Sequence, residues 1–439
     1  MKVKSSFVAY LVLFSLLLGM MAPAVHAAGE WPAVAPTTTA AESTAAPTTQ
    51  APAESAPTTT TAPGEEKAPD STQGSGESQQ QAPGGTEAQV DIKSKSVILM
   101  EQSTGQVLYS FNPDEQYPPA SITKIMTLLL VMEAVDSGKI SIDDMATCSQ
   151  HAADMGGSQI WLEPNEQMSV NDLLKATAVS SANDAAVCLA EHVAGSEEAF
   201  VAMMNERAQQ LGMKNTTFIN ANGLDAQGHL STARDIAIMS MELLKHPKIL
   251  EYSTIWMDSL RGGQTQLVNT NKMIRFYDGA TGLKTGTTNG AGSCLSASAT
   301  RGGMTLIAVT LGSATSDERF YTARKLLDFG FANYEVANIE PLCADAPVKV
   351  TGGVEKEVAC KAEQPGSLVL QKGRAKELTQ ELELLPEVTA PVEQGQTVGR
   401  VVVKLDGEEI LSYNMVASQS VEKMTFGKAF GILFRTMVG

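Results

Sequence analysis

Tyr117-Pro118-Pro119-Ala120-Ser121-Ile122-Thr123-Lys124 runs straight into Ile125-Met126-Thr127-Leu128-Leu129-Leu130-Val131-Met132. The prolines hold the entry extended or turned, because a residue that precedes proline is pushed out of the α region. The stretch after them has no breaker and predicts a mostly buried helix. On a helix Ser121 and Lys124 share one face, three residues apart, so the amine can reach the hydroxyl. A serine hydroxyl is a poor nucleophile unless a neighbouring base takes its proton. Alone, this spacing also describes an ordinary solvated lysine. Two later stretches give it weight. Ser181-Ala182-Asn183 lies between two helical patterns, and Lys284-Thr285-Gly286 leads into Thr287-Thr288 and a strand pair. Ser181-Ala182-Asn183 by itself also reads as a helix cap.

The ordered set Ser121-x-x-Lys124, Ser181-x-Asn183 and Lys284-Thr285-Gly286 resembles the acyl-transfer enzymes that include penicillin-binding proteins and serine β-lactamases. The flanks are similar to one branch, the low-molecular-mass D-alanyl-D-alanine carboxypeptidases of peptidase family S11. The stretches that carry this are Pro119–Lys124, Asn220-Ala221-Asn222-Gly223-Leu224, Gly228-His229-Leu230-Ser231-Thr232-Ala233-Arg234-Asp235 and Thr281–Thr288. The resemblance implies an α+β fold, an antiparallel sheet with helices on its faces, followed by a small β-rich domain. It implies removal of the terminal D-alanine from peptidoglycan pentapeptide stems through a serine acyl-enzyme, with β-lactams as covalent inhibitors and no cofactor. Ser121 would attack the carbonyl, Lys124 would take its proton, and Ser181 would relay a proton to the leaving amine. Asn183 would bond the substrate amide and orient Lys124. Lys284 would offer positive charge to the substrate carboxylate and lower the pKa of Lys124. Thr285 and Thr287 would offer hydroxyls, and Gly286 would leave room for the substrate backbone. The N–H groups of Ser121 and of the strand near Thr287 would form the oxyanion hole. Arg319 matches the position of an arginine near the terminal carboxylate; its plainer reading is a surface arginine at a helix start. His229 reads as structural. The family often has a histidine just after Lys-Thr-Gly, and here that place holds Thr287.

Three rivals differ in chemistry. A β-lactamase needs an efficient route for water to the acyl-enzyme; in the class A type a glutamate on a loop after the second motif provides it, and the comparable stretch Asn215–Asn220 has no carboxylate. A peptidoglycan D,D-endopeptidase would differ only in its leaving group. A non-catalytic wall-binding protein would have no need of intact Ser121, Lys124, Ser181 and Lys284.

The chain has 439 residues, more than one core usually holds. Residues 1–27 read as an export signal, with Lys2 and Lys4 ahead of an apolar run from Phe7 to Met21. Residues 28–90 are rich in Ala, Pro, Thr, Ser and Gly and predict a disordered linker. The catalytic domain is expected over 91–335 and the β-rich domain over 336–418, with Asp406-Gly407 as a hairpin turn. Residues 419–439 form an amphipathic tail. There Phe426, Phe430, Leu433, Phe434 and Met437 share a face opposite Lys428 and Arg435. Such a tail would lie on the outer face of the cytoplasmic membrane after export; the alternative is a helix packed on the β-rich domain. The net charge of -17, with no basic patch, argues against nucleic acid. The five cysteines form no C-x-x-C pair, and no H-E-x-x-H occurs, so no metal site is expected. Cys188 and Cys294 read as core residues, and Cys343 with Cys360 as an optional disulfide.

Elements follow from the pattern. A hairpin is expected around Ser103-Thr104-Gly105, and helices from Ser121 to about Ser137, from Asp184 to Val193, over Glu197–Leu211 and over Ser231–Leu244. An edge strand is expected at Gly282–Gly286, then strands at Ser293–Thr300 and Met304–Thr310, and a covering helix at Glu318–Phe329.

Overall fold

The structure is a computed structural model that describes residues 90–342 and 346–438. The expected export signal, all but the last residue of the expected linker, and Cys343 lie outside the described residues. Five strands form one antiparallel sheet: β1 Ser96–Glu101, β2 Val107–Phe111, β3 Ala280–Thr288, β4 Gly292–Arg301 and β5 Met304–Ser313. Their order is β2-β1-β5-β4-β3, which leaves β3 at an edge as expected. All of β1 is buried, because helices cover both faces of the sheet.

The alternation of side chains along each strand divides the sheet residues between two layers. Val97, Leu99, Leu295, Ala297, Leu306 and Ala308 pack with Phe320, Ala323, Leu326, Leu327 and Phe331 of the covering helix. Ile98, Met100, Ile307 and Val309 face the larger helical layer. That layer holds α1 Lys124–Asp136, α2 Val170–Val179, α3 Asn183–Ala194, α4 Glu197–Gln210 and α5 Ala233–Leu243; the covering helix is α6 Ser316–Asn333. Every residue from Lys124 to Met132 is buried. With Ile, Met, Leu and Val all round its circumference, α1 has no face suited to water and becomes the central helix.

Short polar residues set the helix starts. Ser169, Ser196, Thr232 and Thr315 each accept a hydrogen bond from the backbone N–H three residues on, each worth about 1 kcal/mol. The cap at Thr232 makes α5 begin at Ala233 rather than at Ser231, which instead bridges to Tyr117 in extended form.

After α6 the chain turns to strands. Tyr334–Asn338 pairs with Ser367–Gln371, and Thr397–Leu405 pairs with Glu408–Ala417 around Asp406-Gly407. A valine-rich core with Val348, Val350, Val401, Val403 and Met415 holds the smaller sheets together. Val421 is buried and bridges to Val392, so this packing continues past residue 418. The α+β reading, with its antiparallel sheet and small β-rich domain, is borne out. Cys148, Cys188 and Cys294 are buried free thiols. Cys360 is also free, and its Sγ donates to the Ala346 carbonyl at 2.7 Å.

One loop closes on the start of α1 and positions everything near it. The Ile219 N–H donates to His229 Nδ1 at 3.0 Å, so Nε2 carries the ring proton and donates to Thr123 Oγ1 at 2.7 Å. Four residues past Ile219, Gly223 lies at φ 86°, and a Cβ there would fall 1.9 Å from the Ala120 carbonyl oxygen. Only glycine lets the loop come this close. Burial pushes the His229 pKa from 6.5 down to about 4, with the Asp225 charge opposing it.

The sign of the pH effect follows. A histidine with a depressed folded pKa contributes stability that is complete above the unfolded value and is lost as pH falls through the folded one. Between pH 6.5 and about 4 the wild type is expected to lose roughly 3 kcal/mol more than His229→Gln. Denaturant titrations of both proteins across that window would measure the difference.

Candidate active site

Ser121 lies in a single 3₁₀ turn, Ala120–Thr123, that runs directly into α1. Ala120 has φ 49°, a left-handed conformation rare for a residue with a Cβ, and the turn carries Ser121 at the head of the buried helix. Lys124, the first residue of α1, has no exposed surface. Its Nζ lies 3.1 Å from Ser121 Oγ, 2.5 Å from Asn183 Oδ1 and 2.6 Å from the Asn222 carbonyl oxygen. The two carbonyl oxygens can only accept. In its neutral form the amine has two N–H groups and one lone pair; with both N–H groups on the carbonyl oxygens, the lone pair would face the serine hydroxyl. The Lys124 pKa lies well below its ordinary value, first because of burial and then because of the Lys284 charge, with Asp184 opposing. The expected effect of Lys284 is present, and burial is the larger cause.

Ser181 and Asn183 do not serve as a cap. The N-cap of α3 is Ala182, with no side-chain bond, and Asn183 is the first helical residue. Ser181 is buried at φ 65°, and such non-glycine outliers cluster at functional sites. The Asn183 amide is fixed at both ends. Its Oδ1 takes the Lys124 N–H, and its Nδ2 donates to the Gly156 carbonyl at 2.6 Å. The next residue, Asp184, is buried and accepts from the N–H groups of Ile160 and Leu162. It thereby ties the 156–162 loop to α3.

The edge strand supplies the opposite wall. Lys284 is buried, and burial followed by the Arg319 charge pushes its pKa down to about 7. Its Nζ makes one long bond, 3.3 Å to the Thr285 carbonyl. Thr285 Oγ1 donates to Thr270 Oγ1 at 2.7 Å. Gly286 has a steric reason within the protein besides the expected room for substrate. A Cβ there would lie 2.9 Å from the Pro119 carbonyl oxygen and 3.1 Å from the Ser121 nitrogen. The glycine lets β3 press against the turn that bears Ser121, and this brings the Ser121 N–H beside the strand backbone.

Arg319 is not on the surface; it is 7% exposed. From the first turns of α6 its Nη1 donates to the Gly286 carbonyl, Thr287 Oγ1 and the Cys294 carbonyl, and its Nη2 to Ser316 Oγ. Its Nε has no partner among the described residues. The guanidinium thus sits behind β3 and touches the cleft through Thr287.

The structure therefore bonds Lys124 to Ser121 and Asn183, and Arg319 to Gly286 and Thr287, with Gly286 packed on the Ser121 turn; Lys284 acts on Lys124 through its charge, and Ser181 makes no side-chain hydrogen bond among the described residues. The sequence reading did not find Asn222, whose contribution is a backbone carbonyl, nor Asp184 and Thr270, which hold groups from behind. The nearest sequence signal was the Asn220–Leu224 stretch itself.

Comparison with known proteins agrees with this geometry. Residues 81–315 match the family model for D-alanyl-D-alanine carboxypeptidase, and residues 338–423 match that for the C-terminal domain of penicillin-binding protein 5. The chain is 44% identical over 342 residues to the D-alanyl-D-alanine carboxypeptidase DacF of Bacillus subtilis, covering 76% of this chain and 87% of that one. It is 38% identical over 344 residues to DacC of Escherichia coli, covering 76% and 86%. Penicillin-binding protein 5 from Haemophilus influenzae superposes with a TM-score of 0.70 at 34% identity, covering 77% of this chain and 100% of that one. The chain belongs to the D-alanyl-D-alanine carboxypeptidase family of serine peptidases, removing the terminal D-alanine of peptidoglycan pentapeptide stems through a serine active site that also binds penicillin.

Proposed function

We propose that Ser121 is the nucleophile of this carboxypeptidase and Lys124 its general base. The observation that carries the assignment is the Lys124 amine, held by two carbonyl acceptors so that its lone pair meets Ser121 Oγ. As Oγ bonds to the carbonyl carbon of the penultimate residue, the hydroxyl proton moves to Nζ. The carbonyl π pair becomes an oxyanion held by the N–H groups of Ser121 and Thr287. When the peptide C–N bond breaks, the leaving nitrogen takes a proton relayed through Ser181. Water then hydrolyses the ester by the reverse sequence of proton moves. Lys284, Thr285 and Thr287 receive the terminal carboxylate, and Arg319 adds positive charge behind Thr287.

Labelled penicillin is expected to attach to Ser121 and to be lost in Ser121→Ala; peptide mapping of the label would locate it, and a label on another residue would overturn the assignment. Lys124→Ala is expected to slow acylation by ~10²–10⁴-fold, read by stopped-flow with a chromogenic β-lactam. Arg319→Ala should weaken pentapeptide turnover more than penicillin acylation. An equal loss in both, in a folded protein, would instead make Arg319 a scaffold residue.

The same reading extends to location. The tail forms a helix, Phe426–Val438, with none of its residues buried; Phe426 is 88% and Met437 85% exposed. Phe426, Phe430 and Phe434 stack in series with centroids 6.5 Å apart, a continuous apolar ridge. The alternative, a tail packed on the β-rich domain, loses support from this exposure. No helix among the described residues is long and apolar enough to cross a membrane. The tail would lie in the headgroup layer on the outer face of the membrane, after export and signal removal. Deletion of residues 424–439 should move the mature protein from the membrane to the soluble fraction with pentapeptide hydrolysis intact. A truncated, signal-cleaved protein that still sediments with membranes would place the anchor elsewhere.

A further inference from the structure

We infer that Glu197 is a positioning residue for the base: it holds the Ala221 N–H and so keeps the Asn222 carbonyl on the Lys124 amine. This rests on Lys124 being the base, as proposed above. The Asn222 oxygen accepts from Lys124 Nζ at 2.6 Å. A backbone oxygen has no rotamer of its own, so it is aimed only by fixing the peptide units around it. Those units are held from different sides. Thr127 Oγ1, one turn along α1 from Lys124, donates to the Ala221 carbonyl at 2.6 Å. The Gly223 N–H donates to Asn220 Oδ1 at 2.7 Å, a bond internal to the loop. The Ala221 N–H donates to Glu197 Oε1 at 2.9 Å, which ties the loop to α4. Of these partners Glu197 is the carboxylate, and a charged acceptor bonds roughly twice as strongly as a neutral one.

Glu197 is itself fixed. It is the first residue of α4, after the N-cap Ser196, and an acidic side chain is favoured in a first helical turn. Its side chain is 11% exposed. The second carboxylate oxygen, Oε2, lies 2.6 Å from His151 Nε2, on the short helix Gln150–Ala153. That bond is the largest cause raising the His151 pKa; burial opposes it, and the Glu197, Glu191 and Glu198 charges add to it. A neutral imidazole can keep its proton on Nε2, so the bond does not need the charged ring. With one oxygen on the loop and the other on the ring, the carboxylate has little freedom to swing off Ala221. Glu197 touches no reacting atom. Its path to the chemistry runs through Ala221 and Asn222 to Lys124, away from the carboxylate-binding residues of β3. It therefore acts on the rate of proton transfer and not on the affinity for substrate.

The test uses the full-length protein and a chromogenic β-lactam in stopped flow, which separates the dissociation constant of the noncovalent complex from the acylation rate constant. Glu197→Ala is expected to lower the rate constant by ~10–10²-fold, the cost of moving a catalytic group by about 1 Å, with the dissociation constant unchanged. Glu197→Gln keeps an oxygen for the Ala221 N–H and should recover most of the rate. Where Glu197→Ala does not fold, Glu197→Asp takes its place: it keeps the charge at the helix start and falls a methylene short of the loop. The decisive comparison is made in the Lys124→Ala background. There the same substitution should slow the residual acylation no further, because the group it aims is gone. Wild-type acylation in the folded variant, a dissociation constant that worsens as much as the rate, Glu197→Gln as slow as Glu197→Ala, or a loss that persists in the Lys124→Ala background overturns the proposal alone. Wild-type acylation of Lys124→Ala overturns the base assignment and this proposal with it.

Discussion

The amine of Lys124 has no contact with water, and the rest of the molecule is arranged around that fact. A buried ammonium is costly, so burial favours the neutral form. Neutrality is useful only if the lone pair points at the hydroxyl, and that requires two acceptors to hold the N–H groups. One acceptor comes from the first residue of α3, the other from the loop that His229 ties to Thr123. The apolar circumference of α1 excludes the solvent that would otherwise restore the charge. Removing any one of these supports would alter the protonation or the aim of the proposed base.

The charges on the other wall complete the arrangement. Arg319 brings a guanidinium behind β3 and Lys284 an amine along it, and among the described residues neither bonds to a carboxylate. Buried groups of this kind cost stability in their charged form when no anion faces them. The two hydrophobic layers that enclose the sheet supply the surplus that lets the site keep them. In the proposed reading the substrate carboxylate would supply the missing anion, so a binding interaction would be made where the empty protein carries a mismatch.

Much of this was legible in the sequence because side-chain chemistry repeats at readable spacings. Ser121 and Lys124 are one turn apart, the helix that follows is apolar on all sides, and β3 to β5 alternate with glycine turns. The tail face showed itself by its period. What stayed hidden has a common cause. The Asn222 contribution is a backbone oxygen, which any residue type provides. Gly286 reads as space for a ligand, and its close approach to Pro119 and Ser121 is a contact that sequence does not encode locally. Arg319 lies in a helix start that reads as exposed, and only the position of β3 in front of it shows that it is buried. Asp184 and Thr270 act from behind other groups, where no motif marks them.

The pieces of the site are far apart along the chain. The bonds of Lys124 to Asn183 and Asn222 span 59 and 98 residues, and β3 arrives later still. Contacts of such separation form only after long stretches of chain have been closed into loops, which slows folding. In the proposed mechanism the serine and its base therefore act together only once Asn183, Asn222 and β3 have all come to α1. Reactivity toward a β-lactam would in that reading report completion of the entire catalytic fold, not the presence of the serine alone.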